Sequence, residues 1–173
     1  MPRYPVRARR QAAPAGEDEL DSRLDALLNP AFAKDPPVKL DIPAKTLGLV
    51  YAILGAIAAL FGLSGLLSTL QFGSYFAVAG VGGVLFLVII GSLISLVGTV
   101  LSAWGGYRMY QGDRGGKAIV IYGLALDALG GLVTALGSFG GGLAGWIVSL
   151  VFIFVLYYLV IISRFEGDPK LVA

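Results

Sequence analysis

YRMYQGDRGGKAIVIYGLALDALGGLVTAL, residues 107–136, holds every charged side chain between Leu47 and Ser163. Four of the five (Arg108, Asp113, Arg114, Lys117) crowd into the knot Tyr107–Lys117, and the fifth, Asp127, stands alone in an apolar run. A helix needs about 20 apolar residues to cross about 30 Å of hydrocarbon. Working outward from the knot, four stretches meet that length, at about 47–70, 80–104, 116–136 and 141–163. Strands are excluded, because lipid leaves unpaired backbone groups without partners and no ten-residue alternation suggests a barrel. The expected fold is all-α: an integral membrane four-helix bundle behind a mostly disordered N-terminal cytoplasmic tail.

Composition agrees. The chain of 173 residues is 57% hydrophobic, with a mean hydropathy of +0.81, against about 45–50% apolar in ordinary soluble domains. Net charge is +2, and no basic block or motif marks a nucleic-acid footprint, so no nucleic-acid partner is expected. Cysteine and histidine are both absent. That removes disulfides, zinc and iron–sulfur sites, imidazole-held haem and Ser–His proteolysis. A single carboxylate within the apolar region also rules out an aspartyl dyad. No enzyme activity, cofactor or metal is expected.

Residues 1–46 hold seven of the eight prolines and read as a polar tail. Its opening, MPRYPVRARR, carries four arginines and no acid, but no apolar run follows, so it is not a secretory signal. Inside the tail, GEDELDSRLDALLNP predicts a short amphipathic helix at about 17–29. Acids suit its N-terminus, Asn29–Pro30 ends it, and Leu20, Leu24, Leu27 and Leu28 share a face. That face is expected to dock on a partner or on the protein's own cytoplasmic surface. Residues 164–173 form a second short tail.

All 13 basic residues fall in the two tails and the knot; the other two connections, at 71–79 and 137–140, have none. The positive-inside rule then puts both termini in the cytoplasm, with a bacterial cytoplasmic membrane as the expected location. Trp104, Tyr107, Tyr110, Tyr157 and Tyr158 suit the inner interface, and Phe72, Tyr75, Phe76 and Trp146 the outer one.

Small residues recur at alternating spacings of four and three. The first span has Gly48, Ala52, Gly55, Ala59 and Gly62; the second Gly91, Ser95, Gly98, Ser102 and Gly105; the third Gly123, Asp127, Gly130, Thr134 and Gly137. A seven-residue repeat of small side chains lets helix backbones approach closely along a left-handed seam.

Asp127 lies 11 residues from Gly116, about 16 Å along the axis and so near mid-membrane. A carboxylate there costs about 2.5–3.5 kcal/mol and marks a functional candidate. Counting back 11 residues from Gly105 along the antiparallel second helix reaches Ile94, beside Ser95, so the face Ser92, Ser95, Thr99 and Ser102 could present hydroxyls at that depth. Two roles follow: a hydrogen-bonded link between helices, or a proton or cation relay. In the knot, Arg108, Arg114 and Lys117 are candidate lipid head-group contacts, against a plainer role as a topology-setting turn.

The expected role is a non-catalytic structural or accessory subunit, its partners the lipid bilayer and either other membrane subunits or further copies of itself. The alternative is a small transporter or proton- or cation-coupled component using Asp127. Orientation is testable directly: cysteines placed at Ser22 and Gly112 should be shielded from an impermeant thiol reagent in intact cells, and one at Ser74 should react. Labelling of position 112 from outside would overturn the four-span topology.

Overall fold

The computed structural model describes residue 30 and residues 40–78, 82–138 and 142–166. Four helices make up most of these: α1 Ala44–Val78, α2 Gly82–Tyr110, α3 Gly115–Gly137 and α4 Leu143–Ile162. Each is long and apolar enough to cross a membrane. No strand occurs among the described residues; a lone parallel bridge pairs Pro43 with Arg164. The expected tail helix, with Leu20, Leu24, Leu27 and Leu28, lies outside the described residues.

The helix ends follow local chemistry. The Pro43 carbonyl accepts the Leu47 N–H at 3.1 Å and starts the α1 ladder. The Ala44 N–H, which no helical carbonyl can reach, is met by Arg164 O at 2.6 Å. At its far end α1 continues to Val78, through residues expected to form a connection. No proline interrupts that segment, and Gly73 sits on Leu85 of α2 there, so pairing with α2 extends the helix. α2 likewise runs past Trp104 to Tyr110, and ends in a glycine cap. Gly112 has φ +89°, its N–H donates to Met109 O at 3.0 Å, and the Asp113 N–H donates to Arg108 O at 3.0 Å. These are the two bonds of a Schellman motif, which needs a left-handed residue at that position. Asp113 then opens α3, its Oδ1 accepting the Gly115 N–H at 2.8 Å.

Consecutive helices are antiparallel, and α2 packs against α3 more extensively than any other pair. Three glycines of α2 face three of α3. A Cβ on Gly91, Gly98 or Gly105 would lie 2.7, 2.6 and 2.9 Å from the carbonyl oxygens of Gly130, Gly123 and Gly116. The relation is reciprocal, at 2.6, 2.6 and 2.7 Å from the α3 side. Each pair is seven residues from the next, so one face of each helix is backbone against backbone. Contacts this close maximise dispersion attraction and bring Cα–H groups onto carbonyl oxygens.

The α1–α2 contact is similar at one end only. Gly48 meets Gly106 O at 2.6 Å and Gly55 meets Ala103 Cβ at 2.9 Å, but Gly62 has only Leu96 Cδ1 at 3.4 Å and Gly65 has nothing within 4 Å. The expected seam at Gly62 is therefore not a backbone contact, because the Leu96 side chain stands between the helices. We call the end with Pro43, Gly112 and Arg164 proximal and the opposite end distal. Buried apolar side chains gather at the proximal end: Ala44, Leu47, Tyr51, Met109, Val120, Val160, Ile161 and Ile162. Distally, α1 and α4 scarcely touch.

The seam predicts a contrast between glycines. Gly98→Ala puts a methyl against the Asp127 N–H and the Gly123 carbonyl, and should cost about 1–3 kcal/mol of stability in detergent. Gly65→Ala meets open space and should be neutral or stabilising. Thermal unfolding of the two variants checks this; equal tolerance would make the glycine repeat incidental.

Candidate functional site

Asp127 is held by the α2–α3 seam. A Cβ on Gly98 would lie 2.6 Å from the Asp127 backbone nitrogen; this close approach fixes the depth of α3 against α2 and brings Ser95, nearly one turn away on α2, alongside the carboxylate. Ser95 Oγ donates to Asp127 Oδ1, one residue from the depth at Ile94 that helix geometry gives. Thr99 Oγ1 turns back to Ser95 O at 2.9 Å. The half-buried Asp127 is the sole Asp, Glu, Lys or Arg among the described residues between Lys117 and Arg164.

The carboxylate borders two cavities. The larger, about 580 Å³, is walled by all four helices and extends from Asp127 toward the distal residues Thr69, Val88 and Ser138, with Ser92, Ser95 and Thr99 also in its lining. The smaller, about 230 Å³, lies on the proximal side and includes Thr99, Ser102 and Asp127. Four of the five residues expected to form a polar site thus reach the larger cavity, and Ser102 reaches the smaller.

Several contributors escaped the sequence reading. Trp146, expected at the outer interface, turns into the bundle: its Nε1 donates to Ala128 O at 2.9 Å, and its ring edge fits where a Gly131 Cβ would come within 3.1 Å. Thr134 of α3, Ser138 at its C-terminal cap and Ser149 of α4 also line the larger cavity. Thr134 sits on the small-residue repeat, which signals its inward face; Trp146 carries no such mark. Below Asp127, the buried Tyr51 hydroxyl donates to Leu156 O at 2.8 Å, tying α1 to α4.

The basic knot lies at the proximal end, away from the cavities. Lys117 Nζ donates to Ser163 O and, at 3.4 Å, to Ile161 O, and stands 5.5 Å from the Phe165 ring centre. An ammonium at the last carbonyls of α4 offsets their partial negative charge. Arg108 pairs with Asp113, and Arg114 is exposed in the turn. In this geometry Arg108 and Lys117 serve the turn and the α4 terminus.

Comparison with protein families, curated proteins and solved structures gives no significant match. The reading of the site therefore rests on its chemistry.

A link between helices and a charged group respond differently to substitution. Asp127→Asn keeps an acceptor for Ser95, and its stability should stay close to that of the parent. Asp127→Leu removes the acceptor and should cost about 0.6–2 kcal/mol, the range for interhelical hydrogen bonds within membranes. Unfolding in detergent measures both; an Asn variant as unstable as the Leu variant would show that the charge itself holds the bundle.

Proposed function

We propose that this chain is a small non-enzymatic integral membrane protein of the transporter or cation-coupled class, which admits a solute to the cavity at Asp127. The observation that carries the reading is the pair of cavities in series, about 580 and 230 Å³, that meet at one carboxylate. Solute sites of membrane transporters lie near mid-membrane, and ionisable groups held there face cavities or partners. Membrane insertion is supported by four apolar helices whose outward faces expose large side chains such as Phe61 (74%), Leu60 (69%) and Phe154 (68%). Water is a poor solvent for such a surface.

The proposed orientation has the proximal end in the cytoplasm, supported by the basic residues of the knot, and the proposed location is a bacterial cytoplasmic membrane. On that orientation the larger cavity lies toward the outer side, and the proximal contacts (Tyr51 to Leu156, Lys117 to Ser163, Pro43 beside Arg164) lie toward the inner side.

An accessory-subunit role is the second reading, favoured by a specific surface feature. Gly65 of α1 and Gly145 of α4 have nothing within 4 Å of a would-be Cβ, which leaves small-residue surface that a helix of another chain could approach closely. Cysteine accessibility in intact cells separates the two. Ser92→Cys lines the cavity and should react with an impermeant thiol reagent from outside; Leu93→Cys, exposed on the apolar face, should not. A Ser92→Cys protein that stays shielded and co-purifies with a stoichiometric unrelated polypeptide would favour the subunit.

A further inference from the structure

We infer that the Asp127 cavity takes a small primary ammonium ion with an apolar body, an assignment that rests on the cavity being a solute site. The warrant is the way its lining donors are spent. Thr69 Oγ1 donates to Gly65 O at 2.9 Å, Thr99 Oγ1 to Ser95 O at 2.9 Å, Ser138 Oγ to Ala135 O at 2.9 Å and Ser149 Oγ to Gly145 O at 3.0 Å. A carbonyl oxygen cannot donate, so in each pair the hydroxyl proton is committed to the helix. Trp146 Nε1 is committed to Ala128 O, and the Ser95 proton to Asp127. Each hydroxyl keeps lone pairs for a ligand. Ser92 and Thr134 complete the polar wall.

The result is a lining biased toward acceptors around one carboxylate. An anion meets like charge, and a neutral acceptor meets mostly other acceptors. A monocation with N–H groups balances the single negative charge and donates to the surrounding oxygens. A bare metal ion fits less well, since it needs a compact oxygen shell, and no group of three acidic or other metal-ligating side chains gathers among the described residues. Leu66, Leu96 and Ile153 supply apolar wall beside the polar strip, which suits an alkyl body on the ammonium.

The test uses the full chain in lipid nanodiscs, titrated with butylammonium, butanol, butyrate or sodium and followed by calorimetry. Saturable binding of butylammonium alone is expected. Asp127→Asn should weaken it about tenfold or more, as loss of a charged hydrogen-bond partner does. Gly65→Leu fills the cavity wall but leaves the carboxylate in place; it should also weaken binding, which keeps the test decisive if the Asn variant folds poorly. Equal binding of butanol or butyrate, or sodium binding in place of butylammonium, overturns the ammonium assignment and leaves the cavity a solute site. Absence of binding by all four probes overturns the assignment, and a polypeptide found filling the cavity removes the solute-site reading as well.

Discussion

The structure depends on the absence of a Cβ at six places. Gly91, Gly98 and Gly105 lie against Gly130, Gly123 and Gly116 so closely that a methyl on any of them would overlap a carbonyl oxygen or an amide nitrogen. Apolar side chains gain little by leaving lipid for protein, so helices in a bilayer are held by contact distance and polar pairing. Here the glycine pairs supply the contact and also set the register. A shift of one residue would bring Cβ atoms against backbone, and a shift of a full turn would take Ser95 away from Asp127. The polar bond inside the bundle is thus positioned by an apolar constraint.

From the α2–α3 pair the remaining helices are added unequally. At Gly105 and Gly106 α2 has two adjacent glycines facing different helices, one against Val120 N and Gly116 O of α3, the other against Tyr51 Cβ and Gly48 O of α1. That double vacancy lets three helices converge proximally, where Lys117 and the Pro43–Arg164 bridge draw in the end of α4. Distally the small residues of α1 lose their backbone partners and Leu96 intervenes, so the bundle widens toward the end with the larger cavity. Closure at one end and width at the other are consequences of where the close contacts stop.

Much of this was legible in the sequence, for identifiable reasons. Four apolar runs and the heptad glycines are one-dimensional patterns with direct physical meanings, and counting about 1.5 Å per residue along antiparallel helices came within one residue of the Ser95–Asp127 pair. Legibility ended where a side chain's direction depends on a non-neighbouring helix. Trp146 resembled an interfacial anchor but is drawn inward by the room at Gly131 and the carbonyl of Ala128. Lys117 resembled a head-group ligand, yet its nearest oxygens are the last carbonyls of α4. The apolar span of α1 ends at Gln71, close to where the sequence put it, while the helix itself continues to Val78, with Gly73 against Leu85. The α1–α4 gap has no linear signature at all.

The bridge between the segment before α1 and the segment after α4 has a bearing on the order of synthesis. Ala44 N–H and Ile42 O find their partners on Arg164, 120 residues later in the chain. The α2–α3 hairpin can zip as soon as both its helices have left the ribosome, since its contacts are local. The first helix, although made earliest, keeps an unmet amide at its start until the fourth has been threaded beside it. The proximal end can therefore close only after Arg164 has been made and set beside the start of α1, although α1 is the first of the four helices to be complete.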